Sequence, residues 1–292
     1  MKIIIALDGS AASDLSVQEA VSRPWPKNSE FSLISAVDPF FFVRSPMLLA
    51  EAKKSTEDAL EDNAQNLKVA GWQTTTSVLV ENPRHVIYRL AEEWKSDLIL
   101  LGSRGRNSIE RLLLGSTAQS VLRHAHCSVE IVRAPRARSL TRSPGMKILI
   151  PTDGSDCAQN ALKSLVDRPW PTGSQFKVIS CPEYPVMIGD YPFFMQENLN
   201  ELIKASEDHA RESIEKSVSL LQTSGLTVQT EVTEPKDTPA NAILSAAEKW
   251  QSDLIVIGSH GRRGFDRLVL GSVSESVAMH AHCSVELARH AD

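Results

Sequence analysis

Short apolar runs alternate with longer amphipathic stretches along this chain, and the alternation occurs twice. In the first half, Lys2 to Leu7, Phe31 to Val37, Thr75 to Val80, Asp97 to Leu101 and Ser128 to Val132 read as strands. Between them, Ala11 to Ser22, Leu49 to Ala70, Arg84 to Lys95 and Ile109 to Arg123 carry apolar residues at spacings near three to four, which predicts helices. Strands and helices in strict alternation predict a parallel sheet covered on both faces.

The second half repeats the first. Asp8-Gly9-Ser10 returns as Asp153-Gly154-Ser155, and Arg23-Pro24-Trp25-Pro26 returns as Arg168-Pro169-Trp170-Pro171, both 145 residues later. Ser96 to Ile99 returns as Ser252 to Ile255, and His124 to Glu130 returns letter for letter as His280 to Glu286, now 156 residues later. The second copy is therefore longer by 156 − 145 = 11 residues. The Pro- and aromatic-rich stretch Cys181 to Phe194, expected to be a loop, is the place for much of that excess. Ala134 to Gly145 is basic, rich in Pro and Ser and without periodicity, as an exposed connection should be. The expected division is residues 1–135, a linker at 136–145, and residues 146–292.

Composition adds limits rather than direction. The 292 residues are 42% hydrophobic and 23% charged, ordinary for a globular chain long enough for two cores. A net charge of −5 argues against a nucleic-acid binder, which would display a basic stripe. The opening apolar run is too short to span a bilayer and lacks the marks of a signal peptide, and two of the four cysteines occupy equivalent repeat positions. Reduced thiols, a cytoplasmic location and no membrane association are the expectation.

The candidate chemistry lies at strand ends. The fourth strand of copy one runs into Gly102-Ser-Arg-Gly105, nine residues, then Gly115-Ser116; copy two has Gly258-Ser-His-Gly261, nine residues, then Gly271-Ser272. Glycine at a strand end tolerates positive φ and close backbone approach, and a Gly-Ser pair opening a helix offers free N–H groups and the positive end of the helix dipole. If strands one and four are neighbours, these turns and Asp8 or Asp153 border one crevice at the point where the winding reverses.

Gly-x2-Gly-x9-Gly-Ser after an early Asp-Gly-Ser resembles the ATP-binding branch of the universal stress protein family, over essentially the whole chain. The resemblance implies two tandem Rossmann-like domains of the adenine nucleotide alpha hydrolase-like type. Each would be a five-stranded parallel sheet in order 3-2-1-4-5 holding ATP, ADP or AMP, with Mg at the phosphates. Carried over by position, Pro151, Thr152, Asp153 and Cys181 resemble the adenosine side, and Gly258, His260, Gly261, Gly271, Ser272, Val273 and Ser274 the phosphate side. In copy one the matching positions are Ala6, Leu7, Asp8 and Ala36, then Gly102, Arg104, Gly105, Gly115, Ser116, Thr117 and Ala118. Copy one departs at Ala6-Leu7, at Arg104 in place of His, and at Ala118, where a hydroxyl is lost. Its site is expected to be the weaker.

Several features admit plainer accounts. The glycines could serve packing alone, and Asp8 and Asp153 could cap the next helix in competition with Ser10 and Ser155. His124-Ala-His126-Cys127 and its repeat at His280 could suggest a metal, but buried cysteine and helix-terminal histidine suit the spacing better. Arg104, Arg106, Arg111, Arg262, Arg263 and Arg267 suit phosphates and open surface equally, and the paired tryptophans suit packing. The chain has no P-loop lysine and no kinase residues, and no evident base to activate water. The expected function is a nucleotide-responsive stress-response protein with an unknown protein partner and at most slow ATP hydrolysis. The alternatives are a scaffold with empty crevices and, more remotely, a flavin protein. The last strands, Ser128 to Val132 and Ser284 to Leu287, would be open edges that two copies on one chain could pair as an internal pseudo-dimer, with association of two chains left open.

Overall fold

A computed structural model describes residues 1–43, 45–103, 114–134, 145–183, 193–234, 238–261 and 270–289, with backbone alone over 193–199. The first half runs β1 (Lys2–Leu7), α1 (Ala11–Ser22), β2 (Glu30–Ala36), α2 (Pro46–Val69), β3 (Gln73–Leu79), α3 (Pro83–Trp94), β4 (Leu98–Gly102), α4 (Ser116–His124) and β5 (Ser128–Val132). The second runs β6 (Lys147–Pro151), α5 (Asp156–Val166), β7 (Gln175–Ser180), α6 (Phe193–Thr223), β8 (Val228–Val232), α7 (Pro239–Trp250), β9 (Leu254–Gly258), α8 (Ser272–His280) and β10 (Ser284–Ala288).

Local chemistry sets the boundaries. Ser10 caps α1 by accepting from the Ser13 N–H at 3.2 Å, and Ser155 caps α5 by accepting from the Ala158 N–H at 3.3 Å. Asn82-Pro83 and Thr238-Pro239 open α3 and α7 with a capping side chain followed by a ring that lacks the N–H no helix could use there. In the middle of the sheet Ile3, Ile4 and Ile5 are almost wholly buried, as a parallel strand covered on both faces requires.

Among the described residues ten strands form one sheet, in order β3-β2-β1-β4-β5-β10-β9-β6-β7-β8. Each half is thus a parallel sheet in order 3-2-1-4-5, and the winding reverses at β1 and at β6. The two strands expected to be open edges pair with each other, antiparallel, with Glu286 opposite Glu130. One face of the joint is a shared apolar core to which both halves contribute, including Val121, Ile131, Val277 and Leu287. The opposite face separates the two remaining cores with charge: Arg23 grips Glu130 through two bonds of 3.0 Å, and Arg168 holds both oxygens of Glu286 at 2.9 Å. The Arg23 guanidinium also lies over the Trp25 ring and over Trp170 of the other half, at 4.6 and 5.3 Å.

Two expectations need correction. The helix predicted from Ile109 begins only at Ser116, because Gly115 is its extended N-cap residue with ψ 148°; residues 109–113 lie outside the described residues. The loop predicted for Cys181 to Phe194 ends sooner, since Phe193 and Phe194 already belong to α6. Gly71 matches Gly225, an offset of 154, so 154 − 145 = 9 of the extra residues fall between β2 and β3 or their counterparts. Helix α6 has 31 residues against 24 in α2, so seven of the nine lengthen a helix. Most of the linker, residues 136–144, lies outside the described residues.

Candidate functional site

Each half has a cavity where its β1- and β4-type strands part toward opposite faces. In the second half it encloses about 670 Å³, and all eleven residues singled out in copy two line it: Pro151, Thr152, Asp153, Cys181, Gly258, His260, Gly261, Gly271, Ser272, Val273 and Ser274. In the first half it encloses about 880 Å³ and is lined by Ala6, Leu7, Asp8, Ala36, Gly102, Gly115, Ser116, Thr117 and Ala118. Arg104 and Gly105 lie outside the described residues, as do Arg106, Arg111, Arg262, Arg263 and Arg267.

Of the two properties expected of the strand-end glycines, close backbone approach is present and positive φ is not. None of Gly102, Gly115, Gly258, Gly261 or Gly271 has positive φ. At Gly102 a Cβ would fall 2.4 Å from the Ala12 carbonyl oxygen, and at Gly258 2.8 Å from the Cys157 carbonyl carbon. These two glycines let the first turn of α1 or α5 lie against the strand end, so the packing account holds for them. Gly258→Ala should therefore lower stability by about 1–3 kcal/mol, as overpacking does, read as a lower urea midpoint at unchanged slope.

Gly154 does need positive φ, at 77°, and the turn it makes lets the Asp153 carboxylate accept from the Ser155 N–H at 3.0 Å. Asp8 accepts in the same way from the Ser10 N–H. The serines, not the aspartates, therefore cap the following helices. The second oxygen of Asp153 faces Gly261, where a Cβ would come within 2.8 Å. Turn and strand end thus meet at this carboxylate.

The long connections after β4 and β9 are closed at their bases by Gly115 N–H to Ser103 carbonyl and Gly271 N–H to Ser259 carbonyl bonds, each 2.9 Å. Helices α4 and α8 then start without a side-chain cap, because their N-cap residues are glycines. Their first-turn residues, Ser116 to Ala118 and Ser272 to Ser274, line the cavities, which brings the positive ends of two helix dipoles to the cavity walls. The buried Ser274 hydroxyl donates to the Gly258 carbonyl at 2.7 Å, tying α8 to the end of β9. Ala118 cannot repeat that tie.

At the far wall of the second cavity the half-buried Cys181 thiol faces the Pro239 carbonyl at 3.9 Å, and burial pushes its pKa up. All four cysteines are thiols outside any disulfide, and burial raises Cys127 to about 12. His124 and His280 each donate Nδ1–H to a carbonyl one turn back, at 2.8 Å. Among the described residues no group of three or more His, Cys, Asp or Glu is placed to hold a metal ion, and no helix is long and apolar enough to cross a membrane.

Two features escaped the sequence. His209, on α6, lines the second cavity although no repeat match marks it; the polar spacing Ser206, His209, Ser213, Ser217 on a buried helix face was its only signal. The first cavity has aromatic walls in Phe41 and Phe42, and Phe40, Phe41, Val43, Met47 and Leu48, in the same stretch of chain, are exposed.

The comparisons with known proteins agree with this architecture. The model of the "Universal stress protein family" matches residues 1–133 and again 146–289. The chain is 34% identical over 139 residues to a universal stress protein of Methanocaldococcus jannaschii, covering 48% of this chain and 79% of that one. It is 25% identical over 298 residues to one of Mycolicibacterium smegmatis, covering 98% and 96%. The crystal structure of a universal stress protein from Archaeoglobus fulgidus superposes over 100% of this chain and 97% of its own, with a TM-score of 0.66 at 19% identity. With its two family segments, joined through β5 and β10 into one sheet, the chain belongs to the universal stress protein family.

Proposed function

We propose that the chain binds an adenine nucleotide, ATP, ADP or AMP, and acts as a nucleotide-responsive regulatory protein of the stress response. One observation carries this reading. Residues drawn from six separated stretches of sequence line a single crevice that offers an uncapped helix N-terminus at one wall and an apolar slot between Ile179, Pro239 and Ile243 at another. Backbone amides and a helix dipole suit phosphate oxygens, and the slot suits a flat, weakly polar base.

The residues present fit such a group. Ser272, Val273 and Ser274 would hold the phosphates, Pro151, Thr152 and Cys181 would border the adenosine, and Asp153 would face a Mg ion accompanying the phosphates. When bound, the nucleotide supplies charge at the α8 terminus and so couples that helix to the β6 turn. The chain itself presents no general base among the described lining residues beyond His209, His260 and the carboxylates Asp153 and Glu183. Binding with at most slow hydrolysis is the reading adopted. The first cavity keeps the glycine frame and the uncapped α4 but has Leu7 for Thr152 and Ala118 for Ser274, and it binds more weakly.

Heating purified protein and resolving the supernatant by anion exchange should release adenine nucleotide at up to one equivalent per chain. No released nucleotide, together with no heat of binding when Mg-ATP is titrated at millimolar concentration, would favour a scaffold that acts with empty crevices.

A further inference from the structure

We propose that His209 is a positioning residue that holds the Asp153-Gly154 peptide in its nucleotide-binding geometry, so that the second cavity is preorganised and fills before the first. This rests on the nucleotide reading above, but the device is visible in the protein alone. His209 Nε2 lies 3.0 Å from the Asp153 carbonyl oxygen, which can only accept, so the ring donates. The N–H at the other end of the same peptide, that of Gly154, donates to the Thr152 hydroxyl at 3.3 Å. Both polar groups of one peptide unit are thus fixed, in a turn that already requires φ of 77° at Gly154.

Helix α6 braces this arrangement. Ser217, wholly buried, lies 3.3 Å from the Thr152 hydroxyl and donates to the Ser213 carbonyl at 2.7 Å. Ser213 Oγ lies 3.4 Å from His209 Nε2 and donates to the His209 carbonyl at 2.8 Å. A Cβ on Gly154 would fall 2.6 Å from Ser213 Oγ, so helix and turn are in direct contact. The first copy does not carry these groups: Leu7 has no hydroxyl, and at the offset of 154 the His209 position is Ser55, exposed on α2. A turn held before the ligand arrives loses less conformational freedom on binding, so the same contacts yield higher affinity.

Hydrogen–deuterium exchange of the full-length protein, titrated with Mg-ATP, reads both turns in one experiment. Without ligand, His209→Ala and His209→Asn, whose amide is too short to reach, should speed exchange around residues 153–156 about tenfold. His209→Gln, whose amide N–H reaches the position of Nε2, should restore slow exchange. With ligand, protection in wild type should appear at 151–156 at lower ATP than at 6–11, and the order should merge or reverse in the Ala and Asn variants and return with Gln. Unchanged exchange in the Ala and Asn variants, or a Gln variant as fast as they are, would overturn the positioning role. If wild type shows no ATP-dependent protection anywhere, the nucleotide reading fails, while exchange in the unliganded variants still decides what His209 does.

Discussion

Replacing Arg23 with Met should destabilise the protein by about 3–5 kcal/mol at pH 8, the cost of leaving a buried charge without its partner. Glu130 is wholly buried in β5, directly opposite Glu286 of β10, and Arg23 meets it with two parallel bonds. Without Arg23 two carboxylates face each other across the joint and only Arg168 remains. Urea unfolding followed by tryptophan fluorescence measures the loss, since Trp25 and Trp170 stack on these guanidinium groups. The paired change Arg23→Met with Glu130→Leu should recover most of the stability, because an apolar pair of similar volume carries no desolvation cost. A double variant as unstable as the single one would show that packing, not charge, holds this face.

The same cluster sets a pH dependence. Burial, partly offset by Arg23, raises the Glu130 carboxyl from 4.5 to about 7. Between those values the folded chain keeps a proton that the unfolded chain has lost, so this group's contribution falls as pH rises from about 4.5 to 7 and levels off above. Urea midpoints across that range should show the decline in wild type, and Glu130→Gln should flatten it.

At the second cavity, Gly261→Ala should weaken Mg-ATP binding about tenfold to a hundredfold, equivalent to about 1.4–2.8 kcal/mol, with little change in stability. A Cβ there would come within 2.8 Å of Asp153 Oδ2, so a side-chain carboxylate rather than the backbone must shift. Gly271 is a poorer probe. Its Cβ would meet the Ser259 carbonyl oxygen at 3.2 Å, within the protein rather than in the open cavity, so a bulky residue there tests folding together with binding. Isothermal titration of the Gly261 variant against wild type gives the answer; equal affinity would remove Asp153 and Gly261 from the site.

Much of this was legible in the chain. The doubled alternation of apolar runs, read with the two offsets of 145 and 156, led to two parallel sheets of one topology, and the helix Ala11–Ser22 and strands Lys2–Leu7 and Ser128–Val132 fall where the pattern put them. Those elements are written in local spacing and caps. Glycine spacing located both cavities because strand ends and helix starts occur at fixed places in such a repeat. The start of α4 was misjudged because periodicity runs on past a glycine that the backbone uses as a cap.

What spacing could not reveal depends on which surfaces meet. That Gly102 and Gly258 serve close packing rather than positive φ follows from how near α1 and α5 lie to the strands. Arg23-Pro-Trp and Glu130 were both visible as repeats, yet only the antiparallel pairing of β5 with β10 places two such clusters side by side, where burial turns ordinary ion pairs into determinants of stability. His209 reaches the Asp153 turn only because α6 packs back against β7 and α5, a contact between residues 56 positions apart. The sequence by itself determined the elements, their order and the location of the crevices, since these follow from local propensity and repetition. The tertiary structure alone decided how the halves join and which crevice is braced, because burial and hydrogen-bond reach are properties of residues brought together from afar.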